Sequence, residues 1–143
     1  MEELVNDLRQ NTEKVPNGDP ELEALDFALA SMAIEEAVRR HAGTIEETYT
    51  MMGLTYVQSG KNLTGVQNIV VTGGSLIHTR RTEEIAANAL YSPAHPQSLL
   101  PKAADVWVDR SYILAAMGLL SFHYPAAALN IMKKELEYHG HSE

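Results

Sequence analysis

The residues that could do chemistry begin where the run NIVVT ends, at Thr72, Gly73, Gly74 and Ser75. An apolar strand that closes on two residues without side chains leaves backbone N–H groups bare, so a nucleoside or a phosphate could approach the main chain closely. In an open α/β sheet, ligands collect at the carboxyl ends of the strands. The same two glycines also suit a tight corner with no ligand at all. The pattern is neither a G-x-G-x-x-G fingerprint nor a phosphate loop, since Ser75 to Thr79 contains no third glycine and no lysine after one. Spacing alone leaves both readings open.

Other constellations are weaker. Ser75 beside two glycines lacks the following glycine of a G-x-S-x-G nucleophile turn. His139 and His141 lie near Glu137 and Glu143, a set that could chelate a metal, but a solvated chain end is the expectation there and no metal is assigned. His41, His78 and His123 fall at element ends without an evident catalytic partner. Glu46 and Glu47 could form an acid/base pair, although exposed strand charges are commoner. Trp107 and Tyr112 are expected to pack in the core or against a helix.

The elements that must position these residues follow from periodicity and capping. Leu4, Val5 and Leu8 suggest a thinly apolar, loosely held first helix, and the proline- and glycine-rich run from Val15 to Pro20 interrupts it. Asp19 then caps a long helix with Pro20 at its first position, an apolar stripe of Leu22, Leu25, Leu29 and Met32, and a basic last turn at Arg39, Arg40 and His41. IEETYT and LTYVQ read as two strands joined at Met52-Gly53. Val66 to Thr72 reads as a strand internal to a sheet and covered on both faces. Thr82 to Leu90 reads as a helix and Ala104 to Val108 as another buried strand. Asp109 caps a helix reaching Phe122, with Ile113, Ala116, Met117 and Leu120 on one face, and Pro125 opens a last helix. The order predicts an α/β fold, a small mixed sheet with a β-hairpin, flanked by helices.

Length and charge bound the partners. With 143 residues, 11 basic against 19 acidic, the net charge of -8 opposes a generic hold on nucleic acid or on an anionic bilayer. There is no cysteine, hence no disulfide and no thiolate chemistry. No basic, apolar leader opens the chain and no run reaches the ~20 apolar residues of a membrane span, so a cytoplasmic protein is expected.

The runs RHAGTIEETYT, YVQSGKNLTGVQNIVVTGGSLIH, NALYSP and VDRSYILAAMGLLS, followed by PAAALNIMKKEL, resemble the C-terminal region of the glutamate mutase accessory proteins called MutL or GlmL. These are unrelated to the mismatch-repair protein that shares the first name. The likeness runs from about Asp26, more loosely from the N-terminus, to Leu136. That family resembles the actin, sugar kinase and heat-shock chaperone ATPase superfamily. The resemblance implies part of the second lobe of an actin-like ATPase over residues 20–143, preceded by a helix and linker over 1–19. It also implies an adenosine motif at Thr72, Gly73, Gly74 and Ser75, with the following helix around Thr79 to Thr82 as one wall. The small residues Ala115, Ala116 and Gly118 are similar to an element near the hinge between lobes.

By the same resemblance the cofactors are ATP or ADP, with magnesium in a full-length protein, and adenosylcobalamin enters only through the client mutase. The expected partners are a mutase subunit and a missing N-terminal ATPase lobe. No D-x-G-x-[ST] phosphate hairpin occurs in this chain, and Met51-Met52-Gly53 has no acid. Phosphoryl transfer needs metal and charge-neutralising donors around the γ-phosphate, so no independent enzyme activity is expected. The expected function is the nucleotide-facing lobe of an accessory ATPase that reactivates an adenosylcobalamin-dependent mutase such as glutamate mutase. The alternative is a non-catalytic module that docks on a mutase subunit or on the missing half.

Overall fold

A computed structural model describes residues 2–142; Met1 and Glu143, the latter considered above as a ligand, lie outside the described residues. Helix α1 spans Glu2–Gln10, and the chain after it is tied back by Lys14 Nζ, 2.5 Å from Asp7 Oδ2. Helix α2 spans Pro20–His41 and starts as its cap dictates, with Asp19 Oδ1 accepting from the N–H groups of Glu21 at 3.0 Å and Leu22 at 3.3 Å. Its stripe is used only in part: Leu22 and Leu25 are buried, whereas Leu29 and Met32 are exposed. A helix of 22 residues is about 33 Å long. Its packing partners meet its first turns, through Asp26 and Phe27, and leave the middle of the stripe open. In the last turns Glu36 bridges Arg39 and Arg40, so those arginines have an ion-pair partner besides the helix dipole.

Strands β1, Thr44–Thr50, and β2, Gly53–Ser59, form a separate two-stranded antiparallel ribbon in continuous register from Thr44 opposite Ser59 to Thr50 opposite Gly53. The main sheet is three-stranded in the order β3, β4, β5. Strand β3, Asn68–Val71, runs parallel to β4, Ala104–Val108, and β5, Glu137–Ser142, pairs with β4 antiparallel. The architecture is the expected mixed α/β arrangement, with three corrections to its interior.

First, β3 is an edge strand, shorter than expected, and only one of its faces is covered: Val71 is buried while Val70 is 45 % exposed. The central place belongs to β4, whose alternate residues Ala104, Val106 and Val108 are buried. Second, the chain end expected to be a solvated tail is β5. It is held by the ladder to β4 and by His141 Nδ1, 2.8 Å from Asp105 Oδ1. Third, Trp107 is not in the core. It lies on the open face of the sheet, where its Nε1–H donates to Asn68 Oδ1 at 2.9 Å and its ring meets Tyr138 edge-on with centroids 5.2 Å apart.

The covered face carries the core. Val71, Val106 and Val108 pack with Ile77 and Ala86, joined by Ile69 and Leu76. The helical residues come from α3, Gly74–Ile77, and α4, Thr82–Ala86, which tightens into a 3₁₀ turn at Ala87–Ala89. Helix α5 is shorter than expected, Leu114–Leu120, and α6 spans Pro125–Glu135. Between β4 and α5 the chain makes a turn in which Tyr112 takes φ 52° and is exposed, so Tyr112 is not a packing residue either.

Asp109 spans that turn from a buried position. Its Oδ1 accepts from Ile113 N–H at 3.0 Å and its Oδ2 from Leu114 N–H at 3.2 Å, the capping role expected of it. Asp109→Ala strands both donors, each in a part-buried place, and is expected to cost about 2 kcal/mol or more in urea unfolding. Asp109→Asn, which keeps one acceptor oxygen, should lose roughly half as much.

Candidate functional site

Thr72 leaves β3 exposed to solvent, and Gly73 turns the chain at φ 108°, a conformation a side chain would strain. The Gly73 carbonyl then accepts from Leu76 N–H and Ile77 N–H, both at 3.0 Å, which closes the single turn of α3. Because α3 has four residues, it supplies little of the macrodipole that a longer helix would bring to this corner. The expected anion-attracting helix end is therefore not what the corner offers. Open space is. A Cβ placed on Gly73 or on Gly74 meets no atom within 4 Å. The geometry of Gly73 requires glycine for its backbone; that of Gly74 does not.

Several contacts hold the corner in place. Ser75 Oγ donates to Asp26 Oδ1 at 2.8 Å and so ties α3 to α2 across 49 residues of sequence. Thr82, fully buried, donates from Oγ1 to the Leu76 carbonyl at 2.6 Å. Arg81 lies over the Phe27 ring at 3.4 Å and pairs with Glu84, whose carboxyl it holds below the usual carboxylate range. Thr79 to Arg81, expected as a helical wall, is a non-helical link in which Arg81 N–H donates to Thr79 Oγ1 at 3.1 Å.

On the other side the parallel pairing of Val71 with Val108 brings the carboxyl end of β4 alongside, and Asp109 N–H donates to the Val71 carbonyl at 2.9 Å. Next in the chain, Arg110 donates to the Ile77 carbonyl at the end of α3 and to Glu137 Oε2 at 2.5 Å, and its Nη2 lies 2.7 Å from His139 Nε2. Nothing in the spacing of the sequence pointed to Arg110 as this junction.

The small residues Ala115, Ala116 and Gly118 lie exposed on α5. Glu47 accepts from the Tyr56 hydroxyl at 3.2 Å on the exposed ribbon, where Glu46 is also in solvent. Among the described residues no group of three or more His, Asp or Glu could hold a metal ion. No helix among them is long and apolar enough to cross a membrane.

Fold and corner together define a small α/β domain in which one strand of a parallel pair, β3, leads at its carboxyl end to bare glycine backbone. A family model described as MutL protein matches residues 1–136, and the chain belongs to the MutL family. It is 39 % identical over 127 residues to Protein MutL of Clostridium tetanomorphum, an alignment that covers 89 % of this chain and 27 % of that relative. The chain thus spans about a quarter of that relative's length. No solved structure matches it.

Proposed function

We propose that this chain is the nucleotide-facing part of a cytoplasmic accessory ATPase that serves an adenosylcobalamin-dependent mutase such as glutamate mutase, and that it assists in returning inactivated mutase to work. Membership of the MutL family supports the accessory role. The observation that carries the nucleotide is the unplugged corner at Gly73 and Gly74. Openness alone does not select a site, since Gly65 and Gly118 are equally unhindered. Position does: of these glycines Gly73 and Gly74 follow the carboxyl end of a strand of the parallel pair, the place where ligands collect in open α/β sheets.

The residues present suit the uncharged end of a nucleotide. Thr72 offers a hydroxyl beside bare peptide and Ser75 an oxygen whose proton goes to Asp26, while the groups for phosphate and magnesium are proposed to lie elsewhere. A full-length protein would supply those groups from its other lobe, and the ion would there neutralise charge on the phosphates. This polypeptide alone is accordingly proposed to bind adenosine-bearing ligands weakly and to hydrolyse none. Calorimetric titration of a full-length MutL-family protein with ATP and ADP, run beside an assay of recovery of inactivated mutase, tests the reading. Saturable binding and nucleotide-dependent recovery are the expected results; no heat of binding and no recovery would end it.

A further inference from the structure

The β1–β2 ribbon alternates as a half-buried strand pair should, yet its apolar side is open. Ile45, Glu47 and Tyr49 stand opposite Gln58, Tyr56 and Leu54, so one face gathers Tyr49, Leu54 and Tyr56, and the other carries Thr44, Thr48, Thr50 and Thr55 with Glu46 and Val57. Tyr49 is 83 % exposed, and Met51 and Met52 at the tip are fully so. A two-stranded ribbon is marginal in water without something covering its apolar face. Methionine at an exposed tip gives a flexible, polarizable surface that fits apolar hollows of varied shape. An exposed apolar patch of this kind marks an interaction site.

We propose that the β1–β2 ribbon is a docking arm that inserts into an apolar groove, bordered by lysine or arginine, on a partner protein. Charge selects that occupant. Between Thr44 and Ser59 the arm carries Glu46 and Glu47 and no basic residue or histidine. The chain has a net charge of -8, so a second copy and an anionic bilayer are both repelled, whereas a basic rim is attracted. The base is built to present the arm firmly. Ile45 N–H donates to the Gln97 carbonyl at 2.9 Å, Leu99 N–H to the Gly43 carbonyl at 2.9 Å, and Gly43 N–H to the Lys61 carbonyl at 2.6 Å. The arm and the glycine corner are separate features, and the docking holds whether or not ATP binds at Gly73 and Gly74.

The test places a benzophenone amino acid at position 52 of the protein as its host cell makes it. The cells are illuminated, and the adduct is identified by mass spectrometry. The partner so identified is then purified, and its affinity is measured for the unmodified protein and for Met51→Asp/Met52→Asp. The expected result is an adduct to one other protein, on an apolar segment flanked by lysine or arginine. The paired substitution should weaken binding at least about tenfold, ~1.4 kcal/mol, with the melting temperature unchanged. Glu46→Lys/Glu47→Lys should weaken it as well. An adduct to a second copy, to lipid or within the same polypeptide overturns the proposal, as does no adduct or an affinity indifferent to these substitutions.

Discussion

Gly74→Val is expected to lower the affinity of a full-length MutL-family protein for ATP and ADP at least about tenfold, ~1.4 kcal/mol, while leaving its fold intact. The two halves of that expectation have separate physical causes. Gly74 opens α3 with an ordinary backbone angle and no atom within 4 Å of an added Cβ, so a side chain there neither clashes nor strains the chain. Gly74→Ala should even stabilise slightly, by about 0.5 kcal/mol, because the unfolded chain loses freedom. The valine methyl groups instead fill the space that a nucleoside would need. Gly73→Val is the uninformative variant, since φ 108° would be strained by any β-branched residue and the loss would mix folding with binding. Calorimetric affinity and melting temperature for Gly74→Val, measured on one preparation, separate the cases. Unchanged affinity means the corner serves only to turn the chain.

Gly43→Ala is expected to be among the most damaging single-methyl changes available, at least about 3 kcal/mol in urea unfolding or on the order of 10 °C in melting temperature. Gly43 is buried where α2, the two feet of the ribbon and the segment Gln97–Leu99 cross. An added Cβ would lie 2.2 Å from the Ser59 carbonyl oxygen, 2.7 Å from the Gly60 carbonyl carbon and 2.8 Å from Lys61 N. All three are backbone atoms, so no side chain can rotate aside and the ribbon must shift as a whole. Gly65→Ala, with open space around it, is the control and should change stability by less than about 0.5 kcal/mol. If Gly43→Ala melts like Gly65→Ala, the ribbon is not anchored by this crossing. Amide exchange should then show whether its base is loose.

What could be read in the residues was local. Asp19 and Pro20 announced the start of α2, the alternation around Met52-Gly53 announced the ribbon, and the apolar run from Ala104 to Val108 announced β4 with its bounds. Each signal lies within one element, where a cap, a turn or a periodicity acts over a few residues. The order Thr72, Gly73, Gly74, Ser75 likewise announced a bare corner at a strand end, and the open space that a Cβ on either glycine would meet agrees with it.

The rest was decided by pairings between distant segments, whose free energy belongs to the partner as much as to the residues themselves. EYHGHS, with its glycine and two histidines, has no strand character of its own and is a strand because β4 offers it a ladder. That pairing gives β4 two neighbours and leaves β3 at the edge, a fact that the apolar composition of β3 hides. It also sets Tyr138 beside Trp107, which keeps the tryptophan out of the core, and it brings Glu137 and His139 to Arg110. Local composition thus determined most of the helices and strands and where the chain must turn, though not β5. Only the tertiary structure decided which face of each is covered, because burial depends on neighbours supplied from 30 or more residues away, Asn68 to Trp107 and Asp105 to His141 among them.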